Sequence, residues 1–224
     1  MISSIRNFLV ALVLFTSCQD NEQLELYSEQ KMFDEVEIIP TPPPVQTVST
    51  IGDSRFISHG SSKLRYYINH KAKNRFVFVG SLTDQYNFGH DAVGGSNSQN
   101  LMDRYDDIPL ADIYVIMFGT NDRDLQTSVD TISFIITQKL AQGSKVFYCA
   151  EIPRTDNGDG NHIARTEIIS QMFDSTPGFE IIDLRTPMLN ADGSINLNNY
   201  HDHVHNNDQG ARIMAAQIAI AIKK

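Results

Sequence analysis

The sequence has no tryptophan, and its 224 residues include only two cysteines, Cys18 and Cys149. Two thiols cannot make the framework of a disulfide-stapled scaffold. Positive charge is also scarce: 18 Lys and Arg stand against 27 Asp and Glu, and no basic patch or stripe is visible, which argues against a nucleic-acid binder. The N-terminal apolar run, Phe8 to Phe15, is eight residues long. A bilayer-spanning helix needs about 20. What remains is ordinary for one globular domain, with 41% hydrophobic and 20% charged residues, and with 12 Phe and 8 Tyr to supply aromatic bulk.

The formal net charge of -9 is unevenly spread. Residues 18–44 carry seven acidic groups against Lys31 alone, a net of -6, whereas residues 45–224 hold a net of only -4. The chain starts with Arg6, the apolar run and then Thr16-Ser17-Cys18, the pattern of a secretory signal. Leu14-Phe15-Thr16-Ser17-Cys18 resembles a bacterial lipoprotein box, with Phe15 where Leu is usual. That resemblance implies a signal peptide over residues 1–17 and a diacylglyceryl anchor on Cys18, which would tie the protein to a membrane of the cell envelope. Residues 18–44 end in Pro40-Thr41-Pro42-Pro43-Pro44 and read as an acidic, Pro-rich tether that lifts a domain over residues 45–224 off that membrane. With Cys18 lipidated no disulfide can form within a monomer. Cys149, inside Lys145 to Ala150, reads as a small buried hydrophobe.

From Val45 onward, short apolar runs alternate with helical patterns. Strands are expected over Val45 to Ile51, Arg75 to Val79, Asp112 to Phe118, Lys145 to Ala150 and Gly178 to Leu184. Helices are expected over Ser62 to Lys71, Ser96 to Tyr105, Ser128 to Gln142, Ile163 to Phe173 and Asp208 to Ile222, the last with Asp208 as N-cap. This alternation predicts an α/β fold of three α/β/α layers around an open, parallel, five-stranded sheet. Ligands in such sheets bind beyond the carboxyl ends of the strands.

Two of those ends, and one block just before the last helix, carry polar groups with chemical potential. Ile51-Gly52-Asp53-Ser54 sets a hydroxyl just past the first strand, although a Gly-Asp-Ser triplet alone is most often a turn. Gly119-Thr120-Asn121-Asp122 follows the third strand, where a carboxamide could donate to a developing oxyanion. Asp202-His203-Val204-His205 precedes the last helix, and a carboxylate three residues before a His can accept its Nδ1–H and aim Nε2 at a serine. A serine hydroxyl needs such a base to become a nucleophile at neutral pH.

Taken in order, these blocks resemble those of the SGNH (GDSL-like) hydrolase superfamily over residues 46–222. The resemblance implies a flavodoxin-like fold, Ser54 as nucleophile, His205 as base and Asp202 as its acid partner. It also implies an oxyanion hole from the Ser54 N–H, the Asn121 side chain and a backbone N–H in His90-Asp91-Ala92-Val93-Gly94-Gly95, with Gly95 the better match and Gly94 one residue away. Arg55 departs from the Leu in the family name, and Ser58 from a Gly often found shortly after, which leaves the local turn open.

Family members act without metal or other cofactor. The cluster His201, Asp202, His203 and His205 is accordingly read as a base, its carboxylate and solvated neighbours, although three His and one Asp can also bind metal. Asp53 and Asp122 read as turn-stabilising carboxylates. The stretch from Leu64-Arg65-Tyr66-Tyr67 through Phe76 to Gly80 and His90 to Gly95 is similar to acetylxylan esterase-like members. That similarity implies an acetyl ester on a carbohydrate as substrate. A lysophospholipase or general lipid or thioester esterase is the alternative, and a non-catalytic glycan-binding lipoprotein a more distant one.

Overall fold

The computed structural model of the chain describes residues 45–156 and 159–224. The expected signal, Cys18 and the tether lie outside those residues. Among the described residues, one sheet contains seven strands: β1 (Gln46–Gly52), β2 (Phe76–Phe78), β3 (Leu82–Thr83), β4 (Gly89–Ala92), β5 (Ile113–Met117), β6 (Lys145–Ala150) and β7 (Phe179–Asp183). On one side of β1 the order runs β5, β6, β7, all parallel. On its other side β1 is paired twice along its length, by β2 opposite Gln46 to Val48 and by β4 opposite Ile51 and Gly52.

The five expected strands therefore lie in the order 2-1-3-4-5, the flavodoxin-like arrangement. The expected count of five is corrected by a hairpin of β3 and β4, whose strands pair antiparallel. Gly89-His90-Asp91-Ala92 has no apolar alternation to mark it as a strand. Polar contacts hold it instead: Asp91 accepts from Ser49 Oγ at 2.8 Å, and from Ser81 N and Oγ at 2.9 and 2.7 Å. The hairpin also needs glycine, since a Cβ on Gly80 would sit 2.2 Å from the His90 nitrogen.

Helices cover both faces. On one face α1 (Leu64–Lys71) and α5 (Asp208–Ile222) pack against Val48, Val115 and Phe147. On the other, α2 (Ser98–Met102), α3 (Leu125–Ala141) and α4 (Asp159–Met172) pack against Ile51, Ile116 and Tyr148. In α5, Met214, Ile218 and Ile222 recur every four residues and are buried. Each contributes roughly 1.5–3 kcal/mol by leaving water. Cys149 is buried in that same core layer, and burial raises its thiol pKa, so it is the small hydrophobe its strand suggests.

Helix starts differ from expectation where side-chain caps decide them. Asn207, not Asp208, caps α5, accepting from the Gln209 and Gly210 nitrogens at 2.9 and 3.1 Å. Asp124 accepts from Thr127 N at 2.7 Å and starts α3 three residues before Ser128. Asn97 caps α2, which leaves Ser96 outside the helix. None of the helices among the described residues is long and apolar enough to cross a membrane.

Candidate active site

Strands β4, β1 and β5 are parallel neighbours, so the segments leaving their carboxyl ends share one sheet edge. After β1, Asp53 accepts from the Arg55 nitrogen at 3.0 Å, and Ser54 begins a short 3-10 turn through Phe56. The Ser54 hydroxyl lies 2.8 Å from His205 Nε2. His205 Nδ1 lies 2.8 Å from Asp202 Oδ2, while Asp202 Oδ1 accepts from the Val204 and His205 nitrogens at 2.8 and 2.7 Å. Burial pushes the Asp202 carboxyl up, but the backbone and ring hydrogen bonds of His205 and the Val204 N–H outweigh it and hold it well below the usual carboxylate range. Asp202 therefore stays ionised, with the tautomer-fixing oxygen facing the ring.

The loop carrying the imidazole is closed by a hydrogen bond from His201 N to His205 O at 2.8 Å and by the Tyr200–Asn206 bridge. Its side chains remain accessible, Asp202 being 41% and His205 23% exposed.

Past β4 the chain is tied back to β1 by Val93 N donating to Gly52 O at 3.1 Å, then turns through Gly94 and Gly95, the latter at φ +72°. Asn121 Nδ2 donates to Ser96 O at 3.0 Å, which sets the carboxamide beside Gly95 with its second N–H uncommitted by that bond. Asp122 braces the same loop, accepting from Ser98 N at 2.9 Å, a structural role as expected. The backbone N–H groups of Ser54, Gly94 and Gly95 meet no acceptor among the described residues.

Beneath this edge is a buried ionic network that the sequence reading missed. Arg55 donates to Asp53 Oδ1 and Oδ2 at 3.2 and 3.1 Å and lies 2.8 Å from Glu151 Oε2. Arg165 reaches Glu151 Oε1, Ser128 Oγ at 2.7 Å and the Gly119 carbonyl at 2.9 Å. All four charged side chains are at most 1% exposed. Burial lowers the Arg55 pKa, but Asp53 and Glu151 outweigh it and leave the guanidinium firmly charged. Gly119, at φ +114°, is where this network meets the Asn121 loop, and a Cβ there would lie 2.6 Å from Arg165 Cζ. Arg55 is thus no loose substitute for Leu. A visible signal existed in Glu151, a carboxylate directly after an apolar strand at the same sheet edge.

Arg65 ties down the turn that follows Ser54, donating to Phe56 O at 3.2 Å and to Asp84 Oδ2 at 2.7 Å. The histidines separate. His203 turns to Thr155 Oγ1 at 2.6 Å, whereas His201 stacks on His59 with ring centroids 3.8 Å apart. His59, Asp202 and His205 place ligand atoms within 4.8 Å of one another, so His59 rather than His203 is the histidine grouped with the pair.

No protein-family model matches the sequence, and no match is found among curated proteins. Solved structures are similar. A GDSL-like lipase from Bacteroides thetaiotaomicron superposes with a TM-score of 0.63 at 15% identity, covering 80% of this chain and 88% of that one. An acetyl xylan esterase gives 0.60 at 22% identity, over 79% and 99% of the two chains. A carbohydrate esterase family 3 protein from Talaromyces cellulolyticus gives 0.56 at 21% identity, over 80% and 96%. At these identities the likeness is one of fold.

Proposed function

We propose that this protein is a serine esterase acting through an acyl-enzyme, with an acetylated carbohydrate as substrate. The observation that carries the reading is the continuous relay from Asp202 Oδ2 through His205 to Ser54 Oγ, two contacts of 2.8 Å each. Ser54 Oγ attacks the ester carbonyl as His205 Nε2 takes its proton, and the ionised Asp202 stabilises the imidazolium. The oxyanion is met by the Ser54 and Gly95 N–H groups and by Asn121 Nδ2. Collapse of the tetrahedral species expels the alcohol, protonated by His205, and leaves acyl-Ser54. Water, deprotonated by His205, then adds to the acyl carbon and releases the acid. No step draws on a metal or cofactor.

Similarity in fold to an acetyl xylan esterase and a carbohydrate esterase supports the substrate class. An organophosphonate probe should label Ser54, and the protein should release acetate from aryl acetates and from acetylated xylan. Labelling at another residue would overturn the assignment. Asn121→Ala should lower kcat by roughly 10²- to 10³-fold with little change in KM, the loss typical of one side-chain oxyanion donor. A folded Asn121→Ala variant with unchanged kcat would make Asn121 a loop brace only.

We further propose the Cys18 lipid anchor, supported by Leu14-Phe15-Thr16-Ser17-Cys18 at the end of the apolar run. Cys18→Ser should abolish incorporation of a fatty-acid label in cells. Equal labelling of the variant would sink the anchor.

A further inference from the structure

Next to the triad, His59 and His201 line a cleft of about 260 Å³ together with Gly60, Lys63, Asn207 and Asp208. Lys63 also lines a second cleft, of about 430 Å³, with Tyr66, Tyr67, His70, Tyr86 and Arg212. The second volume is within the roughly 300–1,000 Å³ usual for small-molecule sites. Lys63 borders both clefts, and the first lies beside the triad, the His59 ring being 5.0 Å from that of His205.

The second cleft is aromatic and exposed, an arrangement the core does not require. Tyr66 is 45% and Tyr86 38% exposed, and their ring centroids are 5.3 Å apart. Both rings have aromatic neighbours, Tyr66 meeting Tyr67 and His70 at centroid distances of 5.6 and 6.5 Å and Tyr86 meeting Tyr66. Tyr66 is on α1, beside Tyr67, whose hydroxyl donates to Asp208 Oδ1 at 2.6 Å and whose ring lies 4.3 Å under the Arg212 guanidinium. Asp208 also accepts from Arg212 Nε at 2.9 Å and lies 3.5 Å from Lys63 Nζ. Tyr86 sits in the β3–β4 turn, where Asp84 Oδ1 accepts from the Tyr86 and Phe88 nitrogens at 2.8 and 3.1 Å.

We infer that Tyr66 and Tyr86 form a sugar-stacking platform that holds the glycan chain of the substrate while its ester reaches Ser54 through the His59–His201 cleft. The chemistry matches a pyranose. Its C–H face packs on an aromatic ring, and its hydroxyls need the mixed donors and acceptors that Lys63, Asp208 and Arg212 supply at the rim. A lipid tail would need an apolar groove, but both clefts are edged by charge. Rings already ordered by neighbours lose little entropy on binding, which favours a built site over an incidental patch.

The inference rests on the esterase reading, and the test separates the two. The double variant Tyr66→Ala/Tyr86→Ala is compared with wild type on acetylated xylan and on a small aryl acetate. The polymer-to-aryl ratio of kcat/KM should fall about tenfold, mainly through KM on the polymer, since each stacked ring adds of the order of tenfold or less. Tyr66→Phe/Tyr86→Phe keeps the rings and should retain most of the ratio. Ser54→Ala protein should be retarded by xylan in native affinity electrophoresis, and the Ser54→Ala/Tyr66→Ala/Tyr86→Ala protein should not. An unchanged ratio together with equal retardation would overturn the platform. Aryl acetate hydrolysis that survives Ser54→Ala would overturn the esterase reading instead.

Discussion

Ser54→Ala and His205→Ala should each remove nearly all turnover, roughly 10⁴- to 10⁶-fold in kcat on an aryl acetate, and the double variant should be scarcely worse than either. The two side chains act as one unit: without the base the hydroxyl keeps its proton, and without the hydroxyl the base has no proton to take. Asp202→Asn should be milder or comparable, because it spoils the tautomer and the imidazolium stabilisation while leaving the base in place. Asp202 is held ionised far below neutrality, so any loss of activity on mild acidification should not come from that carboxylate. Thermal unfolding of each variant guards against loss of fold as the cause. A His205→Ala protein that retains wild-type kcat would remove the relay from the mechanism, however well placed its atoms are.

Much of the site's placement was legible because parallel strands end at one edge, so the polar blocks that follow β1 and β5 must lie close together whatever their spacing in the chain. Ser54 and Asn121 stand in the blocks directly after these apolar runs, and the structure brings Ser54 to 2.8 Å from His205, which in turn lies 2.8 Å from Asp202. Residues held by polar contacts alone were not legible in this way. The strand Gly89–Ala92 pairs with β1 through its backbone and through Asp91, a pattern with no hydrophobic period to read. Arg55 and Arg165 gave no sign of burial, because charged side chains are usually on the surface and only their three-dimensional pairing with Asp53 and Glu151 reverses that. The same limit applied to helix starts, where Asn207 and Asp208 are equally good caps by type and the observed hydrogen bonds choose Asn207.

Glu151→Ala should be the most destabilising single change in the domain outside the apolar core. Glu151 is the junction of the buried network: it meets Arg55, Arg165, the Tyr148 hydroxyl at 3.3 Å and Thr120 Oγ1 at 3.4 Å. Burial raises its carboxyl pKa, yet Arg55, His162 and Arg165 outweigh that and leave it lowered. Removing it strands two guanidinium groups with Asp53 as their only remaining carboxylate partner in the network. Breaking a buried pair in this way costs roughly 3–5 kcal/mol, or about 6–20 °C of unfolding midpoint for a domain of this size. Converting Arg55 and Glu151 together, as Arg55→Met/Glu151→Gln, should cost less than the sum of the two single changes, since the Arg55–Glu151 contact is lost once and neither of these two is left facing a missing partner, although Asp53 and Arg165 each still lose one. Strict additivity would mean that the 2.8 Å contact carries no coupling. The pH dependence of stability has a defined sign. Burial, with Arg55 adding to it, lowers the nearby His162 to about 4, and burial lowers His90 to about 4 as well. Unfolded histidine titrates near 6.5, so between about pH 6.5 and 4 the unfolded chain binds more protons than the folded one, and stability falls as pH drops through that window. The lowered Glu151 acts further down, its contribution being lost as pH falls from the ordinary carboxylate range toward its lower folded value. A midpoint that stays level from pH 7 to 4.5 would show that His162 and His90 are not held neutral in the folded domain.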